Sequence, residues 1–126
     1  MNTRVLICSL ALLFLFKSIQ AVAQGDIAKL FEQKSKHVMT SGSGTVIEIL
    51  DGDTCQCFVV RLPNNQIVNI VHDTSHAASL DTLKEGEVIE FHGIYDWSET
   101  GGNISHTYSD NSDNRGWLKY RGEVFQ

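Results

Sequence analysis

The feature that most constrains the fold is a predicted β-hairpin over residues 55–72, CQCFVVRLPNNQIVNIVH. Two runs rich in Val, Ile and Phe flank Pro63-Asn64-Asn65, which is a turn signal. If the turn centres on its two asparagines, Cys57 lies directly opposite His72, and Cys55 is one pleat further along the same face. The pattern therefore predicts two sulfurs and an imidazole on one face of a sheet.

Such a cluster suits three roles. Cys55, Cys57 and His72, with His76 nearby, offer nitrogen and sulfur donors for zinc or copper. A redox or intermolecular disulfide is the second interpretation, because cysteines two apart on one strand lie roughly 6.6 Å apart and bridge only with strain. In the third interpretation the cysteines pack as small apolar side chains beside a histidine at the strand end. The sequence leaves all three open.

The N-terminus is typical of a signal peptide over residues 1–23. Arg4 precedes an apolar run, residues 5–16, and Ala21-Val22-Ala23 has the small-x-small pattern that precedes cleavage. The apolar run ends at Lys17 and is shorter than the roughly 20 residues that span a bilayer. We therefore expect an exported protein, periplasmic or secreted, with no transmembrane segment after cleavage.

Charge limits the range of partners. Loss of Arg4 and Lys17 lowers Lys plus Arg from 10 to 8 against 15 Asp plus Glu, so the net charge changes from −5 to −7. An acidic domain gains nothing from counterion release, so nonspecific nucleic-acid binding is disfavoured. Arg115, Lys119 and Arg121 form either a local basic patch or solvated charges on a last strand. The partner is then an unidentified ligand or protein.

The sequence predicts that the mature chain consists of a helical segment, residues 24–40, followed by one β domain, residues 41–126. Asp26 caps a predicted helix over residues 27–36. Residues 77–83 predict a small helical insert or a turn between the third and fourth strands. Short antiparallel strands around such an insert predict an all-β, five-stranded OB-like barrel, with a sandwich or an SH3-like barrel as the alternative. The other predicted strands cover residues 45–50, 88–97, 104–108 and 116–125.

Four aromatic side chains are candidates for ligand binding. Tyr95, Trp97, Tyr108 and Trp117 would form a stacking surface on the barrel, as OB domains use for bases or sugars. The alternative places them in the core. Trp97 borders a loop, and we expect it to be the most exposed of the four.

Glycine, aromatic and lysine motifs follow one another from Ser41 to Gly122. They are Ser41-Gly42-Ser43-Gly44-Thr45-Val46, Gln56, Phe58, His72, Leu83-Lys84-Glu85-Gly86-Glu87, Phe91, Gly93, Tyr95, Trp97, Gly101-Gly102, Ile104, Thr107, Asp110, Gly116-Trp117-Leu118-Lys119 and Gly122. In this order they resemble a family of small exported bacterial proteins grouped as domain of unknown function 3465. The resemblance implies an OB-type domain.

This chain departs from the family pattern where histidines are expected. Cys55 stands in place of the first histidine, and Ser105-His106-Thr107-Tyr108 stands where the family has His-Trp-Thr-His. The polar loop before Gly116 also lacks a histidine. The family's histidines could form a metal or catalytic site. Of those histidines, only His72 is present in this chain at the position that the family pattern gives it.

A second resemblance concerns Asp51-Gly52-Asp53-Thr54 and the later Asp73-Thr74. The pair is similar to the staphylococcal-type nuclease pattern, which implies calcium ligands at Asp53, Asp73 and Thr74. Val68 replaces the arginine expected before Asp73, and His76 replaces the general-base glutamate.

We therefore favour a binding or interaction module over an enzyme, and we assign no catalytic residue. The alternative is a metal-binding protein, or a metal-dependent hydrolase of nuclease type. It would use the Cys55, Cys57 and His72 cluster or the Asp53 and Asp73 pair.

Overall fold

The computed structural model describes residues 26–110 and 115–126. The predicted signal peptide over residues 1–23 and most of the polar loop before Gly116 lie outside these ranges. Within them, no helix has the length and apolar character needed to cross a membrane. A short helix covers residues 26–32. The strands are β1 (Lys36–Asp51), β2 (Cys55–Arg61), β3 (Ile67–Asp73), β4 (Val88–Asp96), β5 (Asn103–Ser105), β6 (Trp117–Tyr120) and β7 (Glu123–Phe125).

The helix is shorter than the predicted 27–36 because its C-terminus is capped early. Lys34 adopts a left-handed conformation with φ of 51°. Its N–H donates to Phe31 O at 3.1 Å, and the Ser35 N–H reaches back to Leu30 O at 2.9 Å. This pair of bonds is the Schellman pattern, which ends a helix. The chain can then enter β1 at Lys36.

Five strands form a closed ring. The sheet order is β1-β2-β3-β5-β4-β6-β7, and an additional β1–β4 pairing closes the first five strands on themselves. β1 has 16 residues, so residues 36–45 pair with β4 while residues 45–51 pair with β2. β3 and β5 run parallel, and the other pairings are antiparallel. The all-β, OB-like class is confirmed.

The core lies inside this ring. Side chains alternate along each strand, so every second residue of β2, β3 and β4 points inward. Ile27 of the helix closes one end of the ring: a Cβ placed on Gly42 would lie 2.7 Å from both its Cδ1 atom and the Phe91 ring. The buried apolar side chains include Val46, Phe58, Val60, Val68, Ile70, Ile89, Phe91, Tyr95, Ile104 and Leu118.

Of the two alternatives predicted for residues 77–83, the structure has the turn and not the helical insert: residues 74–87 form successive turns, with no helix. Two inward-facing polar side chains hold this segment by its backbone. His72 bonds Ala78 O at 2.8 Å, and Gln56 accepts the Leu80 N–H at 2.8 Å. Since the backbone groups at Ala78 and Leu80 are satisfied by side chains, the segment packs its leucines against the core without helical hydrogen bonds.

Candidate functional site

A groove of about 870 Å³ runs along the outer face of β1, β4 and β6. One side is β1 from Met39 to Ser43, and the other includes Leu62, Pro63 and Asn64 of the β2–β3 connection. The groove lies where the first half of β1 has left β2 and pairs with β4 alone. It is therefore a consequence of the way β1 closes the ring.

Two rows of outward-facing side chains cross these strands. In the first row, Ser41 pairs with His92, and His92 pairs with Trp117. In the second row, Ser43 pairs with Glu90, and Glu90 pairs with Lys119. Because side chains alternate with period two, both rows lie on the same face. All six residues line the groove.

Contacts within the rows hold the side chains in place. Ser41 Oγ lies 2.5 Å from His92 Nδ1. The His92 ring stacks on Trp117 with 5.8 Å between ring centroids and 21° between planes. Lys119 Nζ lies 5.7 Å from the Trp117 ring centroid and 3.9 Å from Glu90 Oε2. The arrangement combines hydroxyl, imidazole, carboxylate and ammonium groups around one indole ring.

The charges lining the groove are mixed. The lining includes the acidic side chains of Asp26 and Glu90 and the basic side chain of Lys119, and Lys119 lies 3.9 Å from Glu90. Met39 contributes apolar surface beside them, while Ile27 and Leu62, which also line the groove, are almost completely buried. Such a lining offers hydrogen bonds and contact area without the positive charge that a phosphate backbone requires.

The four aromatic residues predicted to bind ligand do not share one surface. Trp117 lines the groove. Tyr95 is fully buried, burial raises its pKa, and its hydroxyl donates to Gly101 O at 3.0 Å. Trp97 packs on Phe31, with 6.4 Å between centroids. Tyr108 stacks on His76, with 4.8 Å between centroids.

The predicted hairpin register is wrong by one residue. Arg61 pairs with Ile67, so the loop contains Leu62 to Gln66 and places Gln56, not Cys57, opposite His72. The Leu62 N–H bonds Gln66 O at 2.8 Å, and the Leu62 side chain is buried. A shift of one residue moves a side chain to the opposite face.

His72 consequently points into the core, away from the two cysteines. It is fully buried, with Nδ1 2.8 Å from Thr107 Oγ1 and Nε2 2.8 Å from Ala78 O. A carbonyl oxygen only accepts, so Nε2 carries the proton and Nδ1 accepts from the threonine hydroxyl. Burial lowers the pKa of His72. Both ring nitrogens are thus engaged by the protein.

Cys55 and Cys57 lie half-buried on the outer face of β2 as free thiols. Their Sγ atoms are 3.9 Å apart. The structure therefore brings the two cysteines together and separates them from His72. Across residues 26–110 and 115–126, no three His, Cys, Asp or Glu side chains are grouped to hold a metal ion.

The residues of the nuclease-like pattern are engaged in local hydrogen bonds. Asp73 Oδ1 accepts the Ser75 N–H at 2.9 Å and the Ser75 hydroxyl at 2.5 Å, while His76 Nδ1 lies 2.9 Å from Asp73 Oδ2. The Ser75 hydroxyl bond, and then the bonds from His76 and the Ser75 backbone, lower the pKa of Asp73. Asp53 is exposed in the turn before β2.

The C-terminal basic residues are largely paired. Arg121 bonds Glu87 Oε2 at 2.9 Å, and Lys119 lies 3.9 Å from Glu90. Arg115 is exposed. The structure thus favours solvated, paired charges over a basic patch.

Sequence reasoning missed Ser41, Glu90 and His92. The alternation along β4 marks Glu90 and His92 as outward-facing polar residues. Their partners on β1 lie about fifty positions away, with Ser41 and His92 separated by 51. No local pattern in the sequence joins them.

The closed ring and its lateral groove define a small, all-β, OB-like domain. A family model described as a protein of unknown function (DUF3465) matches residues 9–126. The chain belongs to that family. No curated protein matches it.

Proposed function

We propose that this protein is an exported binding module whose ligand occupies the groove along β1, β4 and β6. The observation that carries the proposal is the row Ser41–His92–Trp117 beside the row Ser43–Glu90–Lys119. Binding sites commonly combine apolar contact area with a few placed polar groups. The ligand contacts would be made by side chains that already support one another.

The lining favours a neutral ligand rich in hydroxyl groups, such as an oligosaccharide. Serine hydroxyls, the Glu90 carboxylate and the Asn64 amide offer both donors and acceptors. OB-like surfaces bind oligonucleotides or oligosaccharides. The chain carries a net charge of −5, which opposes an anionic oligonucleotide and leaves a neutral oligosaccharide unaffected.

The Ser41–His92 pair suits recognition better than nucleophilic catalysis. An activated serine needs a base that is itself oriented by a third group. In the part of the chain that the structure describes, Ser41 is the hydrogen-bond partner of the His92 ring, and the ring otherwise stacks on Trp117. The hydrogen bond fixes the ring and the serine hydroxyl for a ligand.

Chemical-shift titration of isotope-labelled protein with a panel of neutral oligosaccharides tests the proposal. Shifts should concentrate at residues 41, 43, 90, 92, 117 and 119. His92→Gln should weaken binding strongly, and the matched exposed-histidine variant His76→Gln should leave it unchanged. Shifts confined to β2 and β3, or equal loss in both variants, would contradict this assignment. Absence of shifts with every oligosaccharide would reject the ligand class.

A further inference from the structure

The outer face of β2 carries a second feature, separate from the groove. Cys55 and Cys57 project from the same side of the strand, with their Sγ atoms 3.9 Å apart. β2 is hydrogen-bonded to β1 on one side and to β3 on the other. The backbone around the two thiols is therefore held in extended form.

This extended backbone disfavours a disulfide between the two cysteines. Residues two apart on a strand have Cα atoms roughly 6.6 Å apart, near the upper limit for a bridge, and their Cβ bonds are parallel. A bond between them would require the paired strand to bend. The same geometry suits an ion shared by both sulfurs: with metal–sulfur bonds of about 2.3 Å, the sulfurs can be at most about 4.6 Å apart. The observed 3.9 Å lies within that span.

The side chains near the two thiols limit which metal ion could bind there. His72 faces the core and both its nitrogens are bonded. Asp73, which pairs with Cys55 across the sheet, is engaged by Ser75 and His76. A structural zinc ion takes four protein ligands, whereas a thiolate pair suits Cu(I).

The side chains beside the two thiols are apolar. Leu50 and Val71 flank Cys57 on the neighbouring strands, and both are exposed apolar side chains. Neither offers a ligand atom, so an ion bound here must be one that prefers soft thiolate ligands.

We propose that Cys55 and Cys57 form a two-thiolate site for Cu(I). On binding, both S–H bonds break, two sulfur–copper bonds form, and two protons pass to solvent. Copper remains in the +1 state throughout. The site needs no group from the groove, so it does not rest on the proposed oligosaccharide binding.

The test is anaerobic competition between the full chain and a coloured Cu(I) chelator, in the presence of a reductant that keeps copper monovalent. We expect one copper per chain, with sulfur-to-copper charge-transfer absorption. Cys55→Ser and Cys57→Ser should each abolish the competition, and Cys55→Ala repeats the test with a different side chain. Circular dichroism checks that each variant keeps its β structure.

Three matched variants should retain copper. Cys8→Ser removes the thiol outside the described residues, Val59→Ser adds a hydroxyl one pleat along the same face, and His92→Gln alters the groove. Copper binding that survives both Cys55→Ser and Cys57→Ser would overturn the proposal. So would its loss in Cys8→Ser, or a stoichiometry of one copper per two chains.

Discussion

Gln56 lies directly opposite His72 on the β2–β3 hairpin, and both side chains point into the ring. Together they bond the backbone of the turns that follow β3, through Leu80 N–H at 2.8 Å and Ala78 O at 2.8 Å. This polar pair connects the hairpin to the turns over residues 74–87. Protonation of His72 or replacement of Gln56 should therefore weaken the attachment of these turns.

The protein should lose stability as pH falls below 6.5, the ordinary pKa of histidine. Burial lowers the pKa of His72 in the folded state, so the unfolded state binds more protons in this range. The free energy of unfolding therefore falls with pH from 6.5 towards the lowered pKa. Asp73 acts in a different window: its lowered pKa stabilises the fold above 3.8 and that stability is lost below it.

Urea unfolding from neutral pH down to just above 4.5, the ordinary pKa of Glu87, measures the His72 effect, because Glu87 and Asp73, whose pKa values are also lowered, contribute only at lower pH. If the free energy of unfolding does not change with pH through this range, the pKa of His72 is not lowered in the folded state, and the prediction is contradicted.

Gln56→Leu should destabilise the fold by about 1–3 kcal/mol, the usual cost of leaving a buried backbone group without a partner. The Leu80 N–H would lose its acceptor, and amide exchange at Leu80 should accelerate. Denaturant unfolding and hydrogen exchange measure both effects. Gln33→Leu, at the exposed end of the helix, is the matched control; an equal loss in the two variants would count against the anchoring role.

Gly93→Ala should destabilise the fold by about 1–3 kcal/mol, the usual cost of overpacking. A Cβ at Gly93 would lie 2.4 Å from Ser105 O and 2.9 Å from Ile104 Cγ2, so β5 would have to move away from β4. Gly52→Ala is the control, since its nearest neighbour would be 3.3 Å away. Thermal unfolding of both proteins should separate them clearly; a Gly93→Ala midpoint at the wild-type value would contradict the packing argument.

Export predicts a mature chain that begins near Gln24. Intact-mass analysis of protein recovered from outside the cytoplasm should show loss of residues 1–23. Ala23→Leu should block processing, because the signal peptidase site requires small residues, while Ala28→Leu should process normally. Recovery of the full-length chain in the cytoplasm alone would reject the predicted export.

The candidate site was predictable only in part. Its aromatic character predicts Trp117 to be a ligand-binding residue, and Trp117 lines the groove. Tyr95 is predicted to lie on a ligand surface but is buried, although the alternation that places Glu90 and His92 outside already places Tyr95 on the inward face with Phe91. Ser41 and His92 are recognised as parts of one site only when β1 is known to pair with β4. The two residues are 51 positions apart, and no local pattern in the sequence specifies that pairing.

The all-β class, the positions of most strands and the family can all be predicted from the sequence. Alternation along a strand and turn-forming residues are local properties, so they can be read without a structure. The register of the hairpin and the closure of β1 on both β2 and β4 depend on contacts between distant parts of the chain, so they are seen only in the folded protein. The buried Leu62 lengthens the loop by one residue, and with a side-chain period of two that shift moves His72 into the core and leaves Cys55 and Cys57 outside.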